Sequence, residues 1–389
     1  MQAQSNDTTL TLAPELSDGL DAASPMLVAV EASRLSREVR GIGRYVRAML
    51  PRLVALRPGL RLALYVKNAR DVAQLTPVLN AIPELRGRIE LHPVREMVRS
   101  KADVFWYPWN VAIPAPARGA VVTTVHDVVP IAHPDPRLRG WQKNLRWRWR
   151  YNVTARRSTL IVADSQFTAD EIHRTLGVPP ERLRVALLSA DDFAIPSEDG
   201  DGEALARLGV TTPYVLAVGA AERRKNLAML ERAMPSVVEQ HPGTTLVLAG
   251  PRRAAASSIG DVRWRKTLGF VTEAELATLY RNAVALVMPS SYEGFGLPAL
   301  EAMRMGAPVI CARASSLPEV AGDAAAWVEP DDAAELSRAI LRIMDDPSHE
   351  AAMRAASLEQ AARFSWDETA RQTLAVFDEA IGIVTAQRR

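Results

Sequence analysis

Short apolar, β-branched runs alternate with segments of helical length from one end of the chain to the other. This alternation predicts parallel sheets covered by helices on both faces, because parallel strands need crossover helices that bury both sides of the sheet. The predicted strands of the first half are residues 27–31, 60–66, 89–94, 104–107, 120–125, 160–163 and 183–188. Those of the second half are residues 214–218, 245–249, 267–270, 285–288, 309–312 and 325–328. The predicted fold class is therefore α/β.

Length and composition limit the number and kind of domains. The chain has 389 residues, which at about 150 residues per domain favours more than one domain. Hydrophobic residues make up 48% and charged residues 24%, a balance that excludes disorder, collagen and coiled coil. With 47 basic against 45 acidic residues, the formal charge of +2 leaves polyanion binding to a local patch.

One segment interrupts the alternation and predicts a domain boundary. Residues 194–213 are rich in proline, glycine and acidic side chains, which is typical of an interdomain linker. We expect two doubly wound, Rossmann-like domains that face a central cleft, where open α/β sheets bind ligands. The predicted parts are a flexible leader at 1–25, a first domain at 26–195, a linker at 196–212, a second domain at 213–364 and a helix at 365–389 that crosses back to the first domain.

Membrane and secretion signals are missing from the pattern of the sequence. No apolar stretch approaches the roughly 18 residues that a spanning helix needs, and the polar first 25 residues lack the layout of a signal peptide. The one cysteine, Cys311, excludes an internal disulfide and a multi-thiolate zinc site. We expect a cytoplasmic protein, with peripheral contact at the inner face of the cytoplasmic membrane left open.

The most informative motif is the run 289–301, which follows a predicted strand and opens a predicted helix. Gly294 and Gly296 allow the backbone to approach a ligand closely, and the amide groups of a helix start favour an anion. A carboxylate such as Glu301 suits the two vicinal hydroxyls of a ribose. The alternative is a glycine-rich turn in which Glu293 caps the helix and Glu301 is solvated.

A second motif, residues 219–226, follows the first strand of the same domain. It contains Arg224 and Lys225, adjacent cations that can neutralise a diphosphate without a divalent metal. Lys225 is informative because only five of the 47 basic residues are lysines. The alternative is a solvated turn that caps the next helix.

The motifs together resemble those of the retaining glycosyltransferases of family 4, which have the GT-B fold. In the second domain the resemblance covers Glu293-x7-Glu301, the Gly-x4-Arg-Lys-Asn run that ends at Asn226, and residues 268–271 and 306–309. In the first domain it extends to residues 41–45, 125–130 and 164–167. The order and spacing of the motifs span nearly the whole second domain, which makes the resemblance specific.

The resemblance implies a role for each matching residue. Glu301 would hold the donor ribose, Glu293 would lie near the donor sugar and phosphates, and His126 would reach the transferred sugar. Arg224 and Lys225 would stabilise the departing nucleoside diphosphate, with no metal and no cofactor. The other implied donor contacts are Gly41, Gly43, Gly219, Phe270, Val271, Gly294, Phe295, Gly296 and Leu297.

The chain departs from the family pattern at two places. Many relatives carry arginine where this chain has Ala220, which leaves Arg224 and Lys225 to supply the charge for the phosphates. Relatives often have a glycine-containing turn where this chain has residues 189–191.

Three further motifs allow a second interpretation. Asp199-Gly200-Asp201 has the Asp-x-Asp form that binds metal in the other glycosyltransferase fold, but it lies in the predicted linker, where a solvated hinge is favoured. Gly41-x-Gly43 lacks the third glycine of a dinucleotide fingerprint. For His126, a structural histidine with satisfied hydrogen bonds remains the alternative.

Residues 137–157 predict a basic helix with interleaved aromatic residues and no acidic residue. Such a helix can rest on anionic lipid headgroups. The alternative is a helix whose aromatic side chains pack on the first domain while its arginines face water. Trp147 and Trp149 cannot share one narrow face, so both interpretations stay open.

We therefore predict a retaining hexosyltransferase that acts in bacterial surface polysaccharide synthesis, such as lipopolysaccharide synthesis. Mannose from GDP-mannose is the favoured donor, because residues 40–45 and the His-Asp-x-x-Pro run at 126–130 look most like mannosyltransferases. The expected acceptor is a glycan or a lipid-linked oligosaccharide. The alternatives are a UDP-hexose donor, a nucleotide-sugar epimerase of the same fold, and a basic membrane-binding or nucleic-acid-binding module. A nucleic-acid partner is not expected, since it leaves the second-domain motifs unexplained.

Overall fold

A computed structural model of the chain describes residues 25–38, 41–114, 118–133, 141–219, 222–250 and 262–389. Within these ranges the chain forms two parallel sheets with doubly wound, Rossmann-like topology, as predicted. They belong to two units, residues up to Leu187 together with Trp366–Arg389, and Leu188–Ser365. Residues 1–24 of the predicted leader lie outside the description, as do Ala220, Arg137 and Arg139.

The first unit contains seven strands among its described residues. These are β1 Met26–Glu31, β2 Leu60–Val66, β3 Ile89–Pro93, β4 Val104–Tyr107, β5 Ala120–Val125, β6 Leu160–Ala163 and β7 Leu183–Val185. They are all parallel, in the order β3-β2-β1-β4-β5-β6-β7. The helices of this part are α1 Ile42–Leu56, α2 Ala69–Asn80, α3 Val129–Ala132, α4 Trp141–Arg157 and α5 Gln166–Leu176. Short 3₁₀ turns lie at Pro83–Leu85, Val94–Arg99 and Pro180–Arg182.

The second unit contains six parallel strands among its described residues. These are β8 Tyr214–Val218, β9 Thr245–Ala249, β10 Arg265–Gly269, β11 Ala285–Met288, β12 Val309–Ala312 and β13 Ala325–Val328. Their order is β10-β9-β8-β11-β12-β13. The helices are α6 Asp201–Leu208, α7 Leu227–Gln240, α8 Glu273–Asn282, α9 Leu297–Arg304, α10 Leu317–Ala321, α11 Ala333–Asp345 and α12 Pro347–Ala361. Short 3₁₀ turns lie at Arg223–Lys225 and Gly322–Ala324.

In both units, the burial of the strands and the capping of the helices fit the local sequence pattern. Central strands such as β5 and β12 are buried along their whole length, which explains why they are continuous apolar runs. Helix α8 begins with a capping box, in which Thr272 and Glu275 satisfy each other's backbone amides. In the second unit, Val287 of β11 and Ile340 of α11 belong to one buried cluster. Burial of this kind contributes about 1.5–3 kcal/mol for each large apolar side chain.

The strand order of each sheet reverses at one point. In the first sheet the reversal falls between β1 and β4, and in the second between β8 and β11. The loops after such strands diverge to opposite faces and leave a crevice at the carboxyl edge of the sheet, where α/β proteins bind ligands. These two edges are therefore the expected places for a functional site.

The last helix, α13 Trp366–Ala386, packs on the first unit. Arg57 of α1 pairs with Asp378 at 2.6 Å. The Thr369 hydroxyl donates to the Leu187 carbonyl at 2.6 Å, and the Trp366 ring lies 5.9 Å from that of Tyr45. The first unit is thus built from two stretches of chain that are far apart in sequence.

The boundary between the units differs from the sequence prediction. It lies after Leu187, earlier than the predicted domain end at 195, and the predicted linker at 196–212 belongs to the second unit. The reason is α6, whose Asp201 accepts hydrogen bonds from Thr278 at 2.8 Å, Arg281 at 3.0 Å and Asn282 at 2.8 Å. These bonds satisfy a carboxylate that looked solvated in the sequence and tie the segment to α8.

Helix α4 divides its aromatic residues between two environments. Tyr151 is buried in the core of the first unit, and Trp147 packs against the same cluster. Trp149 and Leu145 are 58% and 57% exposed. Among the residues that the structure describes, no helix has the combination of length and hydropathy that crossing a bilayer requires.

Candidate active site

The switch point of the second sheet carries the two motifs that the sequence analysis singled out. Residues 219–226 follow β8, and residues 289–296 follow β11, its neighbour in the sheet. Gly219 adopts a φ of 122°, which favours glycine, and a Cβ on Gly250 would lie 2.3 Å from its carbonyl oxygen. The β8 and β9 loops therefore approach each other closely, which only glycine at these positions allows.

Arg224 joins the two motifs through side chain and backbone. Its Nη1 donates to the Tyr292 carbonyl at 3.0 Å and to Glu293 Oε2 at 2.9 Å, and its Nε donates to Glu222 at 2.8 Å. The Arg224 carbonyl accepts the Ser291 amide at 2.8 Å. The planar guanidinium fork is thereby oriented by several acceptors at once.

Lys225 completes an ion cluster around one buried carboxylate. Its Nζ lies 2.5 Å from Glu293 Oε1, and Glu293 is only 6% exposed. Burial alone would raise the pKa of the Glu293 carboxyl, but the charges of Lys225 and Arg224 outweigh it, so the pKa lies below its ordinary value. Glu293 is therefore ionised at neutral pH and holds both cations in place.

The backbone around Glu293 is held by two serines that follow β12. The Glu293 amide donates to Ser315 Oγ at 2.9 Å, and Ser316 Oγ donates to the carbonyls of Glu293 and Phe295 at 3.0 and 2.8 Å. Phe295 is buried and packs edge-on against Phe364 at 6.0 Å, so it contacts the core of its own unit.

The glycine loop leads directly into α9. Gly296 has a φ of 105°, which favours glycine, and a Cβ there would also displace the Leu317 side chain, 2.9 Å away. Leu297 begins the helix, and Gly294 lies half-buried in the loop before it. The predicted strand, glycine loop and helix thus follow one another as the sequence analysis expects.

Glu301 extends from α9 and is oriented by a residue that sequence reasoning missed. Tyr280 of α8 is fully buried, and its hydroxyl donates to Glu301 Oε2 at 3.0 Å. This bond fixes one carboxylate oxygen, which is how a carboxylate is prepared to bind two hydroxyls in a defined geometry. The signal in the sequence was weak: a tyrosine on the buried side of α8.

Phe270 and Val271 follow β10 on the same edge of the second sheet. The Phe270 side chain is 72% exposed, whereas Val271 is buried. An exposed phenylalanine next to an ordered backbone can stack on a planar ring. Their predicted role as donor contacts stays a prediction.

Gly41 and Gly43 lie at the carboxyl edge of the first sheet, before and within α1. Gly41 has a φ of 55°, and a Cβ on Gly43 would lie 1.7 Å from the Glu38 carbonyl oxygen. Arg47 binds the same loop, because its guanidinium donates to the carbonyls of Glu38 at 2.8 Å, Gly43 at 3.2 Å and Leu35. Gly43 therefore serves close backbone packing, whereas Gly41 supplies a positive φ in open space, and the phosphate contact of both glycines stays a prediction.

His126 follows β5 in the first unit and is 7% exposed. Its Nε2 lies 3.1 Å from the Pro108 carbonyl, which can only accept, so this nitrogen carries a proton. Its Nδ1 lies 3.3 Å from Asp164 Oδ2, and burial raises the pKa of the Asp164 carboxyl even though His126 opposes the shift. Both ring nitrogens face protein groups, which supports the structural alternative; contact with a sugar stays a prediction.

The structure brings part of the predicted site together. Glu293, Arg224 and Lys225 are in direct contact, and Glu301 lies on the helix that the same loop opens. Gly41, Gly43 and His126 belong to the other unit and lie at its own carboxyl edge. Chemically, the cluster in the second unit presents oriented cations next to a glycine-rich helix start, which is an arrangement for binding an anion.

Comparison with known proteins places both units in characterised families. Residues 39–187 match the family "Glycosyltransferase Family 4", and residues 206–360 match "Glycosyl transferases group 1". O-antigen chain mannosyltransferase B of Escherichia coli is 32% identical over 372 residues, which cover 86% of this chain and 94% of that protein. MMP alpha-(1->4)-mannosyltransferase of Mycolicibacterium hassiacum is 31% identical over 64% of this chain and 62% of its own length.

Solved structures agree with this placement at the level of the fold. Anabaena HepE in complex with UDP and glucose matches with a TM-score of 0.68 and 18% identity, over 91% of this chain and 100% of that one. Sucrose-phosphate synthase from Thermosynechococcus elongatus matches with a TM-score of 0.67 and 20% identity, over 92% and 100%. The chain belongs to the family 4 glycosyltransferases and has their GT-B fold.

Proposed function

We propose that this glycosyltransferase is a retaining mannosyltransferase that takes mannose from GDP-mannose. Its acceptor is a glycan or a lipid-linked oligosaccharide of a bacterial surface polysaccharide. Two observations support the proposal: the similarity along most of the chain to an O-antigen chain mannosyltransferase, and the ion cluster of Glu293, Arg224 and Lys225 at the carboxyl edge of the second sheet. The cluster carries the proposal, because it supplies the positive charge that a departing nucleoside diphosphate requires.

In the proposed reaction the bond between the sugar C1 and the diphosphate oxygen breaks while positive charge develops on the sugar ring. Arg224 and Lys225 stabilise the negative charge that collects on the leaving phosphate. Glu293 keeps the two cations oriented before the donor arrives, so little reorganisation is needed during the reaction. In this proposal no divalent metal takes part, and transfer persists when EDTA is present.

Retention follows in this proposal from attack on the face that the diphosphate leaves. The acceptor hydroxyl oxygen forms the new bond to C1, and its proton passes to the leaving phosphate oxygen. No covalent sugar–enzyme intermediate is needed. Proton NMR of the product tests this directly: an α-linked product from α-configured GDP-mannose supports retention, and a β-linked product excludes it.

Replacement of Glu301 by alanine tests the donor site. We propose that Glu301 binds the ribose of the donor, so Glu301→Ala should weaken GDP binding about tenfold or more, as expected for lost bonds to a charged acceptor. Calorimetric titration with GDP measures this change. Glu239→Ala, at an exposed position of the same unit, is the matched control and should bind GDP like the wild type. Unchanged GDP affinity in Glu301→Ala would contradict the ribose assignment.

The donor is identified by comparing transfer rates from different nucleotide sugars. Transfer from GDP-mannose, UDP-glucose and ADP-glucose is compared at equal concentration with the same acceptor. Faster turnover of GDP-mannose supports the proposal, whereas faster turnover of UDP-glucose replaces the donor with a UDP-hexose. Release of a free, epimerised nucleotide sugar without acceptor would instead indicate an epimerase.

We also propose that α4 holds the enzyme at the inner face of the cytoplasmic membrane. Its outer face exposes Leu145 and Trp149 next to Arg146 and Arg148, and the exposed apolar pair can enter the headgroup region while the arginines bind anionic lipid. Arg150 is less suited, because its guanidinium lies over the Trp147 ring at 5.2 Å.

Flotation with vesicles tests this membrane contact. The double variant Arg146→Glu/Arg148→Glu should lose binding to phosphatidylglycerol vesicles, and Trp149→Ala should weaken it. Arg70→Glu, an exposed position on α2 of the same unit, is the control for net charge and should float like the wild type. Equal flotation of the double variant and the wild type would rule out α4 as the contact.

A further inference from the structure

A cleft of about 710 Å³ lies at the carboxyl edge of the first sheet, at the end away from His126. It opens where β2 and β3 end and where the 3₁₀ turn Val94–Arg99 begins. Its lining residues are Tyr65, His92, Arg95, Glu96, Arg99 and Ser100. None of these residues belongs to the motifs that predicted the donor site, so the cleft is an independent feature.

The floor of the cleft is formed by two adjacent strands. Tyr65 of β2 and His92 of β3 are register partners, and their rings stack with centroids 5.5 Å apart. Tyr65 is only 5% exposed, yet it lines the cleft, and its hydroxyl has no hydrogen-bond partner among the described residues. The hydroxyl reaches the accessible surface of the cleft, where it can donate to a ligand.

The rim of the cleft carries an excess of positive charge. Arg95 and Arg99 lie one helical turn apart on a segment that the buried side chain of Met97 anchors. Arg95 meets Glu96 only at 3.9 Å and stays 83% exposed, and Arg99 has no ion-pair partner in the described part of the chain. Two guanidinium groups therefore face one carboxylate.

The other acidic groups near the cleft do not cancel this charge. Glu90, which lies 3.5 Å from His92, is engaged by Arg61 at 2.6 Å. Glu31, the register partner of Tyr65 on β1, is buried, and burial raises the pKa of its carboxyl and favours the neutral form. The local field at the mouth of the cleft is thus positive.

We infer that this cleft binds a phosphate group of the acceptor substrate. Two guanidinium groups and the hydroxyls of Tyr65 and Ser100 offer more donors than the two oxygens of a carboxylate can use, and they suit the three non-bridging oxygens of a phosphate monoester or the four of an esterified pyrophosphate. The inference rests on the proposed function and deepens it: the acceptor carries a phosphate, either as a sugar phosphate or as a lipid-linked pyrophosphate.

The His92 ring provides a local probe for the experiment. In the full-length protein with labelled histidine, the His92 ring signals are assigned by comparison with His92→Gln and followed by NMR. Inorganic pyrophosphate, mannose 1-phosphate and geranyl pyrophosphate are titrated separately, with unphosphorylated mannose as the negative control. We expect saturable shifts of the His92 signals with the phosphates and none with mannose.

Charge-removal variants show whether the rim arginines cause the shift. Arg95→Ala/Arg99→Ala should weaken the phosphate-dependent shift about tenfold or more, as expected for lost charge-assisted bonds. Tyr65→Phe should weaken it less, and Arg70→Ala, an exposed arginine outside the cleft, should leave it unchanged. No His92 shift with any phosphate, or an equal shift in the double variant, would overturn the inference.

The probes also separate the two sources of the phosphate. Tighter binding of geranyl pyrophosphate than of mannose 1-phosphate assigns the cleft to a lipid-linked acceptor, and the reverse order assigns it to a sugar phosphate. Failure of the inference is distinguishable from failure of the proposed function, because the loss of GDP affinity in Glu301→Ala reports on the proposed donor site, which contains none of the residues that line the cleft. GDP binding without a His92 shift rejects only the phosphate cleft.

Discussion

At the carboxyl edge of the second sheet, Glu293 neutralises two cations at 2.5 and 2.9 Å, whereas at the edge of the first sheet Arg95 and Arg99 are exposed to solvent. The first edge also contains a buried carboxyl, Asp164, but it contacts a histidine and its pKa is shifted in the opposite direction to that of Glu293. Basic side chains are thus held in fixed positions at the edge of the second sheet, whereas at the edge of the first sheet they are exposed and can change conformation.

In the proposed function, this difference corresponds to two tasks. A group that must stabilise charge during a reaction benefits from being fixed beforehand, since reorganisation during the reaction raises the barrier. A surface that must accept a large acceptor benefits from exposed arginines on long side chains, which adjust to the ligand. Substitutions that separate the two edges can therefore test the comparison.

The largest effect is expected for Lys225→Ala. Loss of one oriented cation should lower kcat about 100-fold to 1000-fold, with a smaller change in KM for the donor, because the charge acts mainly on the departing phosphate. Steady-state kinetics with GDP-mannose measures both constants. Lys67→Ala, an exposed lysine of the first unit, is the control. A parallel loss of kcat and thermal stability would indicate a structural lysine instead.

The next effect concerns stability and its dependence on pH. Glu293→Gln leaves Arg224 and Lys225 without their partner and should lower the free energy of unfolding by about 3 kcal/mol at pH 7. Because the folded-state pKa of Glu293 lies below its ordinary value of 4.5, its contribution is present above pH 4.5 and disappears as pH falls through the lowered pKa. Urea denaturation between pH 3 and 7 measures this.

The stability difference between wild type and Glu293→Gln should therefore shrink in acid. Glu239→Gln, an exposed position of the same unit, should show no such difference at any pH. A stability difference between wild type and Glu293→Gln that stays constant down to pH 3 would contradict the stabilising role of the ionised Glu293 carboxylate.

A smaller effect is expected for Tyr280→Phe, which removes the hydroxyl that orients Glu301. GDP binding should weaken about fivefold, the size of one ordinary hydrogen bond, while the fold stays intact. Tyr214→Phe is a close control, because Tyr214 is equally buried in the same unit but donates to the Leu279 carbonyl at 2.8 Å. Equal effects of the two variants on GDP affinity would show that Tyr280 acts only through stability.

The smallest effect is expected for Asp164→Asn, the same chemical change as Glu293→Gln but at the other edge. Its free energy of unfolding should stay within about 1 kcal/mol of the wild type at pH 7. Because the folded-state pKa of Asp164 lies above its ordinary value of 3.8, the stabilising contribution of its protonated form is fully present below pH 3.8. This contribution is lost as pH rises through the raised pKa. The free energy of unfolding of the variant should therefore rise relative to that of the wild type as pH rises. A large loss of stability at pH 7 would contradict the proposed difference between the two edges.

The sequence predicted those features that depend on local pattern. The strands of both sheets follow the alternation of apolar runs and helices, and only their ends differ, as for β7, predicted to residue 188 and observed to Val185. The contact between Lys225 and Glu293 was foreseen as proximity, since the carboxyl ends of neighbouring strands meet at one edge.

Features that depend on distant contacts were not predictable in the same way. The polar segment around Asp201 looked like a linker because its partners on α8 lie about eighty positions away. Tyr280 and the cleft beside Tyr65 were missed for the same reason: their meaning comes from neighbours on other elements, whereas a single sequence shows only spacing along the chain.

The discontinuous construction of the first unit has a consequence for its biogenesis. Trp366, Asp378 and the rest of α13 reach the ribosome exit after the entire second unit, yet they cover Tyr45 and pair with the buried Arg57. During translation the amino-terminal part of the first unit therefore stays incompletely covered until α13 emerges. Removal of α13 should make the amino-terminal part of the first unit aggregate. A fusion partner attached after α13 has to leave this helix able to dock on the first unit.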